Sequence, residues 1–278
     1  MARNSMFEPE KEIEHITNWI KEYFVANGPE AKAVIGISGG KDSTVAAALL
    51  VRALGAERVI GVMMPQDVQQ DIDDSRKVCE ALGISSYEID IGPACSALYR
   101  SIDEGIDFDH QVENISAISS NTPARMRMAT LYAVAALVHG RVANTCNWSE
   151  DFVGYSTKYG DAAGDFGVLC NYAVREVITM GCVLAKEMNF PVELVVKTPS
   201  DGMCGKTDED NLGFTYDTLD SMLLDDIIPD YETYRNIMTR YKRNIHKTEC
   251  IRLPAPRALL YRKHRNWLRT EEERCFEF

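Results

Sequence analysis

The sequence predicts an α/β fold in which a doubly wound parallel sheet is followed by a helical C-terminal portion. Over about the first two hundred residues, short apolar runs alternate with longer helical patterns, which is typical of βαβ units. A glycine-rich loop joins the first run to a helix, and three prolines interrupt the C-terminal region. No internal repeat or low-complexity tract is visible, so we predict a single domain over residues 1–278.

The first three predicted elements are a helix, a strand and a second helix. Residues 8–26 carry apolar side chains on one helical face, at Ile13, Ile16, Ile20 and Phe24. Residues 33–37 form an apolar, β-branched run, as expected of a buried strand. Residues 43–54 are rich in alanine and leucine and stop at Gly55, a residue that commonly follows the end of a helix.

The later predicted elements continue this alternation. Strands are predicted at residues 58–64, 86–91 and 141–145, and helices at residues 71–82, 123–139 and 172–187. Pro123 is expected in the first turn of its helix, where a missing backbone N–H is tolerated. In the C-terminal portion, Pro229, Pro254 and Pro256 are expected to separate further helices.

The composition argues against several classes of protein. The 278 residues carry a formal net charge of −12, which disfavours a general nucleic-acid-binding protein. The chain has no apolar run long enough to span a membrane, and its first residues are charged, unlike a signal peptide. The eight cysteines include no CxxC pair, so neither a zinc site nor a dithiol motif is indicated and a cytoplasmic location fits best.

One segment differs from the acidic character of the chain. Between Tyr234 and Arg269 there are eleven lysines and arginines but a single acid, Glu249. One interpretation is a set of solvated helix faces near the C-terminus. The other is that part of the segment contacts a ligand that carries phosphate groups.

The strongest functional signal is the loop between the first predicted strand and the next helix. It reads Gly36-Ile37-Ser38-Gly39-Gly40-Lys41-Asp42-Ser43. Its glycines allow a tight turn that presents backbone N–H groups to an anion, and the helix N-terminus adds partial positive charge. Ser38 and Ser43 supply hydroxyl donors, and the Asp42 carboxylate suits magnesium. The loop therefore predicts a site for nucleotide phosphates.

The loop does not fit the Walker A pattern GxxxxGK[ST]. Its first glycine lies one residue too close to Gly40, and Asp42 follows Lys41 where the pattern requires serine or threonine. SGGxDS after a strand resembles instead the loop of the N-type ATP pyrophosphatases, the PP-loop superfamily. This resemblance implies an adenine nucleotide alpha hydrolase-like fold and cleavage of ATP between its α- and β-phosphates. It leaves the product open among GMP, asparagine, argininosuccinate, a thiolated tRNA and NAD.

Further motifs narrow the choice of product, because all of them occur in the same order along the sequences of one family. They are NxxARxRM at residues 121–128, SEDxxGYxTKYGD at 149–161, KxPS at 197–200, GxTDExxLG at 205–213, and His246-Lys247 followed by PAP at 254–256. In these motifs the chain resembles the ammonia-dependent NAD synthetases. The resemblance implies that ATP activates the carboxylate of deamido-NAD, which ammonia then converts into the amide of NAD.

The resemblance also implies roles for individual residues. Deamido-NAD would contact Arg125, Lys158, Asp165, His246 and Lys247. ATP would contact the loop at residues 36–43 together with Thr145 and Ser200, although the family often has threonine where Ser200 stands. Asp42 and Glu150 would hold Mg²⁺. The candidate catalytic residues are Asp42, Lys158 and Asp165, with Asp165 placed to attract ammonium or accept its proton. A homodimer with the dinucleotide near its interface is implied as well.

Simpler interpretations remain open for several residues. Arg125 on an apolar helix is compatible with a buried ion pair, and Glu150 with an ordinary acid in the first turn of a helix. Tyr155 and Tyr159 favour packing over stacking on a ligand. Residues 208–210 fit either a solvated loop or a first helical turn.

One departure from the family pattern concerns ATP. NAD synthetases commonly place a lysine that meets an ATP phosphate a few residues after the aspartate matching Asp165. Counting forward from Asp165 without a gap places Val174 at the position of this lysine, and counting backward from Pro191 places Ile178 there. Neither side chain is charged. The sequence predicts that Arg175 or Lys206 supplies the missing charge. The alternative for Arg175 is a pair with a neighbouring acid.

The length of chain before the first predicted helix bears on the nitrogen donor. The chain begins a few residues before its first predicted helix, which leaves no room for a glutaminase domain of about 100–200 residues, so ammonia is the expected donor. Residues 65–71 and 200–213 are candidate lids that would exclude water.

Two rival functions remain. One rival is a tRNA-thiolating enzyme, which the acidic charge and missing CxxC oppose. The other is a nucleotide sensor without turnover, which the presence of both acids proposed to bind the metal opposes.

Overall fold

Five parallel strands form the central sheet. The structure is a computed structural model that describes residues 7–66, 72–106, 115–196 and 208–247. The strands are β1 (Lys32–Gly36), β2 (Val59–Met63), β3 (Ser85–Glu88), β4 (Gly140–Asn144) and β5 (Phe166–Gly167). Their order is β3-β2-β1-β4-β5, and every neighbouring pair is parallel. This order confirms the predicted doubly wound sheet, which changes its direction of winding between β1 and β4.

Helices cover both faces of this sheet. Within the described ranges they are α1 (Pro9–Asn27), α2 (Lys41–Leu54), α3 (Ile72–Ala81), α4 (Gly92–Gly105), α5 (Ile115–Val138), α6 (Trp148–Val153), α7 (Val174–Met188), α8 (Glu193–Val196), α9 (Asp208–Leu212), α10 (Tyr216–Asp225) and α11 (Tyr231–Asn244). Helices α1, α2 and α7 pack on one face, and α4 and α5 on the other. None of these helices has both the length and the apolar character that crossing a lipid bilayer requires.

Strand β1 shows how the sequence builds both layers. Successive side chains of a strand point to opposite faces of the sheet. Ala33 and Ile35 accordingly join the apolar cluster that includes Leu49 of α2, whereas Val34 joins the cluster that includes Val134 of α5. An apolar run without alternation is therefore what a strand buried on both faces requires.

The predicted elements agree with the structure at all but one boundary to within three residues. Helix α5 is the exception, because it begins at Ile115 and places Pro123 inside the helix, so the predicted start at Pro123 is wrong. A proline removes one internal hydrogen bond, but the packing of α5 against β1 and β4 holds the helix together. Helix α4 was not predicted, although Pro93 in its first turn was an available signal.

A third apolar cluster, the C-terminal cluster, joins the C-terminal helices to the rest of the molecule. It contains Val153 of α6, Leu219 of α10 and Ile237 of α11. Gly154 ends α6 with a φ of +65°, and a Cβ added there would overlap the Cβ of Asn244. Glycine is therefore required for α11 to approach α6. The helical C-terminal portion is confirmed, with Pro229 between α10 and α11 as predicted, while Pro254 and Pro256 lie outside the described residues.

The predicted phosphate loop lies at the point where the winding changes. Ile35 of β1 pairs with Ala143 of β4, so the carboxyl ends of these two strands are adjacent. The loop at residues 36–43 follows β1, and the segment that leads into α6 follows β4. Ligands of open α/β sheets bind in the crevice at such a switch point. The fold thus brings the two segments that carry Asp42 and Glu150 to the same place.

Candidate active site

The loop after β1 is closed by its own side chains. The Ser38 and Ser43 hydroxyls lie 3.1 Å apart, and the Ser38 N–H donates to Ser43 Oγ at 3.3 Å. Ser43 Oγ donates to the Gly40 carbonyl at 3.1 Å, and the Gly40 N–H donates to Ser38 Oγ at 3.3 Å. These bonds hold the loop over the first turn of α2, where the helix dipole favours an anion.

Gly39 is required for two independent reasons. Its φ is +77°, in the left-handed region that residues with a side chain rarely adopt. A Cβ added there would also lie 2.9 Å from the Ser75 backbone nitrogen and 3.0 Å from the Asp74 Cβ, both in α3. A larger residue at this position must therefore distort the loop or displace α3.

Asn147 connects the two acids that were predicted to hold magnesium. Its side-chain N–H donates to Asp42 Oδ1 at 3.0 Å, and its side-chain oxygen accepts the Glu150 N–H at 3.0 Å. Glu150 Oε2 accepts the Asn147 N–H at 3.2 Å, so the two residues form the capping box of α6. The same cap therefore starts the helix and holds Glu150 close to Asp42.

The environment of Glu150 disfavours its ionised form. Desolvation, followed by the Asp42 charge, raises the pKa of the Glu150 carboxyl well above its ordinary value. Mg²⁺ is commonly bound by one or two carboxylates together with substrate phosphates, so this pair fits the ion. The described residues contain no group of three or more His, Cys, Asp or Glu that is arranged to hold a metal.

Lys41 lies beside the same acids. Its Nζ donates to Asp42 Oδ2 at 2.7 Å, and its side chain is only 3% exposed. The ammonium also lies 5.5 Å from the centre of the Tyr216 ring. Burial by itself lowers the pKa of Lys41, but the charges of Asp42 and Glu150 outweigh it and raise the pKa. The site therefore contains a buried, positively charged ammonium.

Four of the five residues predicted to contact deamido-NAD form what we call the basic cluster, namely Arg125, Lys158, His246 and Lys247. Arg125 Nε donates to the Lys158 carbonyl at 3.3 Å, and Lys158 Nζ donates to the His246 carbonyl at 2.5 Å. Arg125 and His246 are exposed. The exposure of Arg125 is not that of a buried ion-pair partner, which was the alternative interpretation.

Lys247 fastens the end of α11 to α6. Its Nζ donates to the carbonyls of Gly154 and Ser156 at 2.9 and 2.8 Å. Asn244 adds a hydrogen bond of 3.1 Å to the Val153 carbonyl. The position of the basic cluster therefore depends on the contact between these two helices.

Asp165, the fifth residue predicted to contact deamido-NAD, has hydrogen-bond partners outside the basic cluster. One of its carboxylate oxygens accepts the Val142 N–H at 2.8 Å, and the other accepts the Tyr132 hydroxyl at 3.3 Å. Its backbone carbonyl accepts the Tyr23 hydroxyl at 3.3 Å. Burial, followed by the charge of Asp165, raises the pKa of Tyr132 to about 12. In this arrangement the Asp165 carboxylate, which directly precedes β5, connects the backbone of β4 to α5.

The other residues predicted to contact ATP fall into two groups. Gly36 ends β1, and the Ile37 N–H donates to the Val62 carbonyl at 3.0 Å, so both lie at the carboxyl edge of the sheet. Thr145 follows β4 directly and lies at the same edge. Ser200 lies outside the described residues, as does most of each candidate lid.

Arg175 has a structural partner. Its guanidinium pairs with Asp225 at 2.7 Å, and its backbone N–H donates to Asp220 at 2.7 Å. Arg175 is thus paired with an acid, as in the alternative interpretation, but the acid lies on α10 and is not a neighbour on the surface of α7. Lys206, the other predicted substitute for the missing lysine, lies outside the described residues.

Sequence reasoning missed Asn147, although its signal was present. Asn-x-x-Glu before a helix is a capping-box pattern, and residues 147–150 fit it. The hydrogen bond from Asn147 to Asp42 had no such signal, because it joins segments far apart in the sequence.

Two further interpretations can be compared with the structure. Residues 208–210 form the first turn of α9, which was one of the two interpretations left open. Tyr155 packs in the C-terminal cluster as predicted, and its hydroxyl donates to Asp208 at 3.3 Å.

Comparison with known proteins identifies one family. The chain matches the family model described as NAD synthase over residues 12–251. It is 38% identical over 212 residues to the NH(3)-dependent NAD(+) synthetase of Thermococcus kodakarensis, and the match covers 76% of this chain and 78% of that relative.

Solved structures give the same result. The chain superimposes on the NMN synthetase from Francisella tularensis with a TM-score of 0.77 and 33% identity, over 90% of this chain and 99% of that chain. It superimposes on the NH3-dependent NAD synthetase from Campylobacter jejuni with a TM-score of 0.66 and 26% identity, over 89% and 99% of the two chains. The predicted adenine nucleotide alpha hydrolase-like fold is thereby confirmed.

Proposed function

The chain belongs to the NAD synthase family, and from this premise we propose that it is an ammonia-dependent ligase that forms a carbon–nitrogen bond. Its reaction converts the nicotinate carboxylate of deamido-NAD into the carboxamide of NAD, while ATP is cleaved to AMP and pyrophosphate. The structural observation that carries the proposal is the connection of Asp42 to Glu150 through Asn147, directly beside the phosphate loop. The family match favours this reaction over tRNA thiolation.

The first chemical step requires alignment and charge neutralisation. The substrate carboxylate is ionised at neutral pH, so no general base is needed. Its oxygen attacks the α-phosphorus of ATP to form an acyl adenylate, and the bond from the α-phosphorus to the bridging oxygen breaks to release pyrophosphate. N–H groups and hydroxyls of the loop at residues 38–43 would stabilise the negative charge on the departing group.

The second step transfers the nitrogen. Ammonia attacks the acyl carbon, a carbon–nitrogen bond forms, the carbon–oxygen bond to AMP breaks, and the nitrogen loses one proton. Asp165 remains our candidate to attract ammonium or accept this proton. Its oxygens already accept from the Tyr132 hydroxyl and the Val142 N–H, so the ligand would bind through the remaining lone pairs or replace the Tyr132 hydroxyl.

We propose that Asp42 and Glu150 hold Mg²⁺. When bound there, the ion would neutralise charge on the pyrophosphate. Asn147 keeps the two carboxylates together, since it bonds the Asp42 side chain while it caps the helix that carries Glu150. The substitution of either acid is therefore expected to remove one of the two protein ligands.

The basic cluster is suited to the dinucleotide. A substrate with two phosphates and a carboxylate needs cations in fixed places. Lys158 and Lys247 donate to backbone carbonyls, which phosphate oxygens of the substrate would replace. Arg125 is exposed and adds a planar group of donors at the same location.

We further propose that the protein is a homodimer that forms through the C-terminal half of α5. The residues of this half that are exposed at helical spacing are Ala129, Tyr132, Ala133, Ala136 and Leu137, and the Leu137 side chain is 82% exposed. No residue of this stripe is charged. A second copy of the chain fits because contact through this uncharged face avoids placing like charges of two molecules, each with a net charge of −12, directly against one another.

Light scattering coupled to gel filtration tests the dimer. We expect a dimer for the unmodified chain and a monomer for Leu137→Glu. Val25→Glu places the same charge on another exposed apolar residue, one on α1 that is 73% exposed, and is expected to stay dimeric. A monomeric unmodified chain, or dissociation by both variants, would contradict the proposed interface.

We treat the sheet and the C-terminal helices as one NAD synthetase domain, and propose that it acts in the cytoplasm. The C-terminal cluster connects α10 and α11 to α6 and α7. Cysteines of the described ranges are free thiols, which fits a reducing compartment.

The decisive experiment is a product assay with the purified chain. ATP, Mg²⁺, deamido-NAD and ammonium are expected to give NAD, AMP and pyrophosphate in equal amounts, and glutamine is not expected to replace ammonium. Nucleotide binding without formation of NAD would favour the sensor instead. Equal rates with glutamine and ammonium would contradict the proposed nitrogen donor.

A second candidate substrate follows from the likeness to the NMN synthetase of Francisella tularensis. The mononucleotide carries the same nicotinate carboxylate, so amidation of nicotinate mononucleotide would use the same chemistry without the adenylate half of the dinucleotide. Comparing kcat/KM for the two substrates separates the candidates. A preference for the dinucleotide is expected if the basic cluster contacts its second phosphate.

A further inference from the structure

The buried ammonium of Lys41 occupies the region where the proposed metal site needs positive charge. Lysine is almost never fully buried unless it is paired, and here the partner is Asp42 at 2.7 Å. Asp42 Oδ1 accepts from Asn147 and Oδ2 accepts from Lys41. Each oxygen therefore already has one donor, and a cation that binds this carboxylate competes with a donor for the negative charge of the oxygen that it approaches.

The two donors differ in their freedom to move. The Asn147 side chain also accepts the Glu150 N–H, so its displacement would open the cap of α6. The Lys41 ammonium ends a flexible four-carbon stem, and its hydrogen bond to Asp42 can exchange without loss of a helix cap. The lysine is therefore the donor that a divalent cation would replace.

From this geometry we propose that Lys41 is a positioning residue that serves as the resident counter-ion of the metal site. Its ammonium compensates the Asp42 and Glu150 charges in the free protein and competes with the divalent cation for Asp42. On binding of metal and ATP, the ammonium exchanges the carboxylate for a phosphate oxygen. The inference rests on the proposed metal role of Asp42 and Glu150.

This role predicts effects of opposite sign, which a purely structural ion pair does not. Removal of the ammonium leaves the carboxylates without their counter-ion, so the nucleotide-free protein should bind a divalent cation more tightly. The same removal takes a cation from the phosphate site, so the requirement for ATP should rise. If Lys41 only maintained the local structure, its loss would weaken both interactions.

The experiment titrates Mn²⁺ into nucleotide-free protein and follows free Mn²⁺ by electron paramagnetic resonance. Lys41→Met is expected to bind Mn²⁺ about tenfold more tightly than the unmodified protein, while its KM for ATP rises about tenfold. Lys41→Arg keeps the charge and should bind Mn²⁺ as the unmodified protein does. Lys186→Met removes an exposed lysine of α7 and serves as the control for net charge.

The outcomes separate this inference from the proposed function. Unchanged or weaker Mn²⁺ binding by folded Lys41→Met would overturn the counter-ion role, whereas the product assay would still stand on its own. Equal tightening by Lys41→Arg or by Lys186→Met would overturn it as well. If Lys41→Met and Lys41→Gln unfold without metal, refolding on addition of Mn²⁺ supports the role and failure to refold contradicts it.

Discussion

The phosphate loop and the basic cluster are built in different ways. Residues 36–43 are consecutive, and hydrogen bonds among Ser38, Gly40 and Ser43 hold the loop in place. The basic cluster takes Arg125 from α5, Lys158 from the segment after α6, and His246 and Lys247 from the turn that ends α11. It exists only when these separate segments pack together.

This difference predicts that the two regions fail separately. A change within the loop should impair the use of ATP and of metal, because the loop geometry is local. A change at the α6–α11 contact should impair the binding of the dinucleotide while the loop keeps its own hydrogen bonds. Kinetic constants measured separately for ATP and for deamido-NAD can therefore distinguish the two regions.

The largest effect is expected at the loop. Asp42→Asn keeps the size of the side chain but removes the charge that would hold magnesium, so turnover should fall by at least about a hundredfold. Initial rates at saturating Mg²⁺ test this, with Asp73→Asn as the control at an exposed acid of α3. Retention of more than about half of the unmodified rate would show that Asp42 has no metal role.

The next effect concerns the contact that positions the basic cluster. Gly154→Ala adds a Cβ that overlaps Asn244 and strains a residue with positive φ, so at least about 2 kcal/mol of the contact should be lost. We expect the KM for deamido-NAD to rise about thirtyfold with little change in the KM for ATP.

Gly83→Ala is the matched control for this variant. Gly83 has a φ of +64°, but an added Cβ meets no atom within 4 Å, so the control reports the backbone strain without the overlap. If Gly154→Ala raised the two KM values equally, the proposed independence of the regions would be wrong.

A smaller effect is expected from a single cation of the cluster. Lys158→Ala removes a charged donor that is assigned to the substrate, and the KM for deamido-NAD should rise about tenfold, equivalent to about 1.4 kcal/mol. The rise should diminish as the ionic strength increases, because salt screens exposed charges. Lys186→Ala should leave the constants unchanged, and an unchanged KM in Lys158→Ala would remove Lys158 from the binding site.

The smallest effect is a pH-dependent change in stability at the contact of α10 with α6 and α7. Asp220 of α10 accepts the Ser149 hydroxyl at 2.5 Å and the Arg175 N–H at 2.7 Å, and burial raises the pKa of Asp220 to about 6. The folded protein therefore binds this proton more tightly than the unfolded chain. The resulting stabilisation is fully present below about pH 4 and is lost as the pH rises through about 6.

Asp220→Asn cannot titrate, so it should lack this component of the pH dependence. Urea unfolding between pH 4.5 and 7.5 is expected to show that the unmodified protein loses on the order of 1–2 kcal/mol relative to the variant as the pH rises. Asp226→Asn, at an exposed residue with positive φ that asparagine tolerates, is the control. Parallel pH profiles for Asp220→Asn and the unmodified protein would contradict the assignment.

Local patterns explain why much of the fold was predictable. Strand β1 is apolar because both of its faces are buried, and α1 carries its apolar residues on the single face that packs on α2. Each pattern is a direct consequence of backbone periodicity, which the sequence displays. The start of α5 was not predictable in this way, because packing against the sheet allows Pro123 inside a helix that local propensity would end.

The candidate site divides along the same line. The sequence by itself determined the phosphate loop, because glycine at residue 39 and hydroxyls at residues 38 and 43 are requirements of a local backbone turn. Only the tertiary structure decided that Asn147 joins Asp42 to Glu150 and that Lys41 is buried beside them.

The tertiary structure also decided that Arg175 pairs with Asp225 and that Lys247 is held by carbonyls at the end of α6. These contacts join residues that are far apart in the chain, and their geometry follows from how helices and strands pack. Motifs predicted which side chains form the candidate site. Packing determined which of them meet, because a distance between two elements has no counterpart in the periodicity of either one.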